Sequence, residues 1–176
     1  PRLYNMIYRE YEEDIKNCKD SEEIRKLEEM KYKKIFGSRV RAVCFGGAAT
    51  AQIVLDFFTR ILDCIVADGY GASEVGGIAI NNNILPNVIV KLISVPELDY
   101  FTTDEPFSRG EICVKTPTMF RGYLNSEESP FDEEGFYHTG DIGQLEGKGI
   151  LRLIDRRKNV FKLSQGEFVA AQRIES

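Results

Sequence analysis

Apolar residues recur every four positions at the start of the chain, where Leu3, Ile7, Tyr11 and Ile15 form one stripe on an otherwise polar stretch. That spacing predicts a helix with a single buried face. Asp20-Ser21-Glu22-Glu23 then reads as an N-cap with a reciprocating glutamate, opening a second helix with Ile24, Leu27 and Met30 among its apolar positions and Gly37 as its stop. Val40 to Phe45 reads as a strand, and the small residues Gly46-Gly47-Ala48-Ala49 follow it. A helix from about Thr50 to Asp63 comes next, with Val54, Phe57, Phe58, Ile61 and Leu62 on one face, and the apolar run Cys64-Ile65-Val66-Ala67 closes a βαβ unit as a second buried strand. After Glu74 the pattern changes to short strands at 88–93, 110–115, 141–145 and 150–154, separated by clusters of Pro, Gly, Asn and Asp. The fold class expected from this order is α/β, a parallel-sheet portion followed by a small β-rich subdomain.

Composition narrows what such a chain can be. Its 176 residues, 43% hydrophobic and 29% charged, suit a globular domain with its own core. No apolar run approaches the roughly 20 residues that span a bilayer, so no transmembrane segment is expected. The opening Pro1-Arg2-Leu3-Tyr4 lacks the features of a signal peptide, and the missing initiator methionine leads us to expect a piece of a longer chain. Cys18, Cys44, Cys64 and Cys113 are widely spaced and form no metal-ligand pattern, which points to reduced thiols and a cytoplasmic location. A net charge of −5 argues against a nucleic-acid partner or an anionic membrane surface. From Gly149 onward, however, six basic residues outnumber three acidic ones, a distribution that suits either a solvated face or a segment that meets phosphate.

Candidate chemistry collects in two places. Asp68-Gly69-Tyr70-Gly71-Ala72-Ser73-Glu74 follows a predicted strand, so it is expected at a strand's carboxyl end, where α/β folds bind ligands. Gly69 and Gly71 permit close approach of a ligand to the main chain, and Tyr70 offers a flat face to a nucleobase. Ser73 can hydrogen-bond a phosphate oxygen, and Glu74 can supply oxygen to a magnesium ion. An ordinary turn would use the same residues. Gly46 to Ala49 occupies the equivalent position after the preceding strand, so the two loops are expected on one edge of the sheet, framing a slot for a ring. The second place is Phe136-Tyr137-His138-Thr139-Gly140-Asp141, where a carboxylate after a glycine can accept both hydroxyls of a ribose. His138, the only histidine, has no partner motif in the sequence and reads as a solvated or packing residue.

Taken together, Gly46-Gly47-Ala48-Ala49, Gly69-Tyr70-Gly71-Ala72-Ser73-Glu74, Arg109-Gly110-Glu111 with Arg121-Gly122-Tyr123, Tyr137-His138-Thr139-Gly140-Asp141 and Asp155-Arg156-Arg157-Lys158 resemble, in this order, the motifs of the adenylate-forming superfamily. Acyl-CoA synthetases, firefly luciferase and the adenylation domains of peptide synthetases belong to it. Val95 to Asp104 and Lys162 to Val169 are more similar still to the adenylation domain of carboxylic acid reductases, and the last stretch also resembles long-chain acyl-CoA synthetases. The resemblance implies an ATP-dependent enzyme that activates a carboxylic acid as its acyl-adenylate, with ATP and magnesium as cofactors and the acid as substrate. It implies that Gly46, Gly47 and Ala48 border the adenine and acyl sites, with Tyr70 and Gly71 at the adenine. Ser73 and Glu74 would be the catalytic pair at phosphate and magnesium, Asp141 and Arg156 would bind the ribose, and Lys158 would be the hinge. The expected divisions are a helical lead-in at 1–37, the α/β portion at 38–87, the β-rich part at 88–155, and the hinge with the start of a C-terminal subdomain at 156–176. The phosphate-binding loop is expected upstream of Pro1 and a catalytic lysine beyond Ser176, so the segment alone is expected to be inactive. In a parent of the reductase type, a carrier domain's phosphopantetheine and an NADPH-binding domain would be further partners. The alternatives are a segment of an acyl-CoA synthetase or fatty acyl-AMP ligase, or a non-catalytic nucleotide-binding module.

Overall fold

In the computed structural model, which describes residues 2–37, 39–48, 50–126, 129–147, 149–157, 160–162 and 168–170, helix α1 (Arg2–Ile15) forms on the four-residue repeat and buries Ile7 and Tyr11. Helix α2 (Ser21–Met30) opens on Asp20, whose carboxylate accepts the amides of Glu22 and Glu23, both at 2.9 Å. The Glu23 carboxylate reaches back to the amide of Lys19 at 2.8 Å. Such caps satisfy amides that have no partner within the helix and are each worth about 1 kcal/mol.

The helix ends at Met30 and not at Gly37. Tyr32 causes the difference. Its ring is fully buried against Tyr11 and Phe57, its hydroxyl donates to Asp14 at 2.6 Å, and a 3-10 turn over Tyr32–Lys34 seats it there. Lys31 ties the same turn to Glu10 and Asp14 at 2.6 and 2.7 Å.

Strand β1 (Ala42–Gly46) buries Val43 and Phe45 and exposes Ala42, Cys44 and Gly46. Helix α3 (Gln52–Ile61) buries Val54, Phe57, Phe58 and Ile61, and these join Tyr11, Tyr32 and Phe45 in one aromatic core. The chain then enters β2 (Ile65–Ala72), the neighbour of β1 in the sheet. Within β2 the first compact unit, Pro1–Asp68, gives way to the second, Gly69–Ser176.

The second unit is built on antiparallel pairing. β3 (Gly76–Ile80), β4 (Asn83–Ile84), β5 (Ile89–Ile93), β6 (Ser108–Lys115), β7 (Tyr137–Glu146) and β8 (Ile150–Arg156) follow β2, and the order across the sheet is β2-β3-β4-β8-β7-β6-β5. Val75, Ile78, Ile112, Val114 and Leu151 form its core. A separate antiparallel pair joins β9 (Val160–Lys162) to β10 (Phe168–Ala170). No described helix is long and apolar enough to cross a membrane.

The structure corrects two expectations in this unit. The strand expected to stop at Ala67 runs on to Ala72, so Gly69, Tyr70 and Gly71 are strand residues paired with β3 and not a loop. The open part shrinks to a turn at Ser73, Glu74 and Val75. Strands β3 and β4 had no counterpart in the hydrophobic pattern, because Gly76, Gly77 and the paired Asn81 and Asn82 interrupt it.

Candidate functional site

The turn between β2 and β3 is held from below. Val75 is fully buried, and its carbonyl accepts the hydroxyls of Thr116 and Thr118 at 2.9 and 3.0 Å. The carbonyl of Glu74 accepts the amide of Phe120 at 2.8 Å. Gly71 is required by this close pairing: a Cβ there would lie 2.4 Å from the carbonyl oxygen of Gly76. Its permissiveness therefore serves the hairpin itself.

With the turn fixed, Ser73 stands exposed at the tip and Glu74 is half-buried beside it. One carboxylate oxygen of Glu74 accepts the hydroxyl of Tyr123 at 3.0 Å, and that hydroxyl lies 3.0 Å from the hydroxyl of Tyr137. Phe120 braces both rings edge-on, at centroid separations of 4.9 and 5.9 Å. Burial, the bond to Tyr123 and the charge of Glu74 push the Tyr137 phenol up from its ordinary range, so it stays protonated at neutral pH.

A second cluster forms around Asp141. Between Glu111↔Ile142 and Cys113↔His138 the β6–β7 register shifts, so β7 carries a bulge over Thr139, Gly140 and Asp141. Thr139 secures it by donating its hydroxyl to the Ile112 carbonyl at 2.8 Å and accepting the Asp141 amide at 3.1 Å. Asp141 is only 7% exposed. Its Oδ2 accepts the Tyr70 hydroxyl at 2.9 Å, and its Oδ1 lies 3.4 Å from the Arg156 Nε on the neighbouring strand. Burial, followed by the Asp141 charge, raises the Tyr70 phenol as well. A buried carboxylate backed by a phenol and a guanidinium is a hydrogen-bond acceptor held in one orientation, suited to a ligand that presents hydroxyl donors.

Of the residues singled out from sequence, the structure thus joins Tyr70 to Asp141 by a hydrogen bond and Asp141 to Arg156 by an ion pair, and gives Glu74 two tyrosine neighbours. In the first unit, Gly46 ends β1, and Gly47 and Ala48 follow it exposed, with Gly47 at φ +79°, a conformation that favours glycine. Ala49 and Lys158 lie outside the described residues. His138 stands between two carboxylates, with Nε2 3.5 Å from Asp132 and Nδ1 3.8 Å from Glu111.

Sequence reasoning assigned no role to Tyr123, Thr116, Thr118 or Glu111. Glu111 and Tyr123 stood inside the motifs Arg109-Gly110-Glu111 and Arg121-Gly122-Tyr123, and Glu111 left a further signal as a carboxylate inside the run Gly110-Glu111-Ile112-Cys113-Val114 that otherwise reads as a buried strand. Among the described residues no group of three or more His, Cys, Asp or Glu is placed to hold a metal.

The glycine-turned hairpin and the backed carboxylate bring Tyr70, Asp141 and Arg156 together in an α/β fold. The family model of AMP-binding enzymes matches residues 1–124, and the chain belongs to that family. It is 42% identical over 165 residues to fatty acyl-CoA synthetase A of Dictyostelium discoideum, covering 86% of this chain and 25% of that protein. It is 37% identical over 184 residues to a carboxylic acid reductase of Segniliparus rugosus, covering all of this chain and 16% of that protein. Among solved structures, the A domain of carboxylic acid reductase from Segniliparus rugosus, in complex with AMP and a co-purified carboxylic acid, matches 99% of this chain with a TM-score of 0.89 at 38% identity; the match covers 29% of that chain. The chain therefore spans well under half the length of these relatives.

Proposed function

We propose that this chain is the nucleotide-binding segment of an enzyme that uses ATP to convert a carboxylic acid to its acyl-adenylate. The observation that carries the reading is the likeness, over nearly the whole chain, to an adenylation domain that holds AMP and a carboxylic acid. In the proposed reaction an oxygen of the acid's carboxylate bonds to the α-phosphorus of ATP, the bond from that phosphorus to the bridging oxygen breaks, and pyrophosphate leaves with the electron pair.

The chain's own residues position and neutralise. In the second unit the Tyr70 ring is offered to the base, Asp141 accepts the ribose hydroxyls with Arg156 beside it, and Ser73 donates to a phosphate oxygen; in the first unit Gly46, Gly47 and Ala48 are the proposed nucleotide-loop residues. Glu74 would hold a magnesium ion, which when bound offsets phosphate charge. Lys158 is the proposed hinge of a C-terminal subdomain, and the lead-in, α/β and β-rich divisions are proposed to work as parts of one larger enzyme. A cytoplasmic location is part of the same proposal.

Two fates of the adenylate divide the reading. In the reductase-like enzyme, which we favour, a carrier domain's phosphopantetheine thiol takes the acyl group before reduction by NADPH. The 42% identity to a fatty acyl-CoA synthetase supports a second reading in which CoA is the acceptor. The test is acid-dependent exchange of labelled pyrophosphate into ATP by the complete enzyme and its Asp141→Ala variant. Losing a charge-assisted bond to ribose costs roughly 1.5–3 kcal/mol, so KM for ATP is expected to rise more than tenfold while the ranking of acids is kept. An unchanged KM for ATP refutes the assignment of Asp141.

A further inference from the structure

Glu111 is a carboxylate in the interior of β6, 5% exposed, with buried neighbours on either side in the strand. An ionised group in that position is costly unless its oxygens are satisfied. Both are. Oε1 accepts the amide of Gly140, at 3.2 Å, in the β7 bulge that presents Asp141. Oε2 accepts Nη1 of Arg157 at 2.9 Å, and the other guanidinium nitrogen of Arg157 bonds Glu97. One side chain thus grips the residue before the proposed ribose acceptor and also the residue after Arg156, the acceptor's cationic neighbour.

The bulge is where this grip has an effect. Two steps along β6, from Glu111 to Cys113, face four along β7, from Ile142 back to His138, so the ladder alone does not fix the orientation of the intervening residues. Thr139 ties the bulge to the Ile112 carbonyl and Glu111 ties it at Gly140. Asp141 follows directly, with its carboxylate held in turn by Tyr70.

Resting on the adenylation reading above, we infer that Glu111 is a positioning residue for the nucleotide: by holding the Gly140 amide and Arg157 at once, it fixes the bulge so that Asp141 meets the ribose hydroxyls. Arg157 supplies the countercharge that lets a carboxylate occupy the strand interior. An amide at this position satisfies one neighbour but not both. Turning its oxygen to the Gly140 amide points its NH2 at the guanidinium, and the reverse rotation leaves the amide unbonded.

The experiment is a double-mutant cycle in the complete enzyme, reading KM for ATP, KM for the acid and kcat for Glu111→Gln, Asp141→Ala and the pair. Glu111→Gln is expected to raise KM for ATP by about fivefold or more, scaled from the loss of a charge-assisted hydrogen bond, while KM for the acid stays within about twofold. In the Asp141→Ala background the same change is expected to add less than about twofold, because the group through which Glu111 acts is gone. If the two losses multiply, or if the acid KM rises in step with that of ATP, Glu111 acts elsewhere and the inference fails. An unaltered KM for ATP in Asp141→Ala instead overturns the adenylation-site reading, so the two failures are distinguishable. Should Glu111→Gln not accumulate as folded protein, Glu111→Asp, one methylene shorter but still charged, carries the same cycle with the same criteria.

Discussion

Replacing Tyr70 by phenylalanine removes a single oxygen and leaves the ring, and so separates the two roles the structure gives this residue. The lost hydroxyl donates to Asp141 at 2.9 Å. Hydrogen bonds to charged groups contribute about 1.5–3 kcal/mol net. Solvent is poorly placed to substitute, because the Asp141 side chain is only 10% exposed. On the other oxygen, the Arg156 Nε lies 3.4 Å away with its side chain 66% exposed, an ion-pair geometry worth roughly 0–1 kcal/mol. Tyr70→Phe should therefore destabilise the chain by about 2 kcal/mol. With a urea dependence of roughly 2 kcal/mol per molar, the unfolding midpoint should fall by about 1 M, read by circular dichroism. In an Asp141→Asn background the same substitution should cost markedly less, since coupled partners do not add. The ring is untouched, so AMP affinity should fall less in Tyr70→Phe than in Tyr70→Ala. A midpoint shift below about 0.2 M, or full additivity with Asp141→Asn, would show that the hydroxyl bond does not hold the carboxylate and would remove the physical basis of the site.

Other perturbations test the parts around it. Asp132 accepts the Phe136 amide at 2.8 Å and lies 3.0 Å from Lys91, and these hold its carboxyl down to about 2, against about 3.9 when unfolded. Its contribution is thus complete above about pH 5 and lost as pH falls through 2 toward 1; the melting-temperature difference between wild type and Asp132→Asn should be widest near pH 6, small at pH 2 and gone near pH 1. Gly71→Ala places a Cβ 2.4 Å from the Gly76 carbonyl oxygen, so a loss of about 1–3 kcal/mol is expected, with a lower urea midpoint as the readout; an unchanged midpoint would mean that the hairpin can open at no cost. Cys113 is fully buried and its thiol is pushed up to about 12 by burial first and the Glu111 charge second, whereas Cys44 is exposed. A thiol reagent at pH 8 should label Cys44 in the folded chain and Cys113 only after denaturant is added, as peptide mass mapping will show.

What could be read in the sequence followed from how local each cause is. The α1 stripe, the Asp20 cap and the apolar face of α3 are set by neighbours within a turn or two, and each formed within a few residues of the expected bounds. The end of α2 was not legible, because Tyr32 is drawn out of the helix by Tyr11, Phe57 and Asp14, partners far along the chain. The same division runs through the candidate site. Tyr70 and Asp141 were visible as residue types beside glycines, and Glu74 and Arg156 within the motifs that carry the resemblance, but the hydroxyl bond from Tyr70 to Asp141 spans 71 positions and depends on a strand that continues through two glycines. Glycine in a strand signals either a loop or a place where two backbones come close; a sequence pattern favours the first, and the Gly76 carbonyl against Gly71 decides for the second. Glu111 follows the same logic in reverse. A charge in the middle of a buried strand violates local pattern, and such violations survive where something distant compensates them; here the compensation is Arg157, 46 positions away. The residue that fits its strand least is the one through which the β7 bulge and the end of β8 are held together.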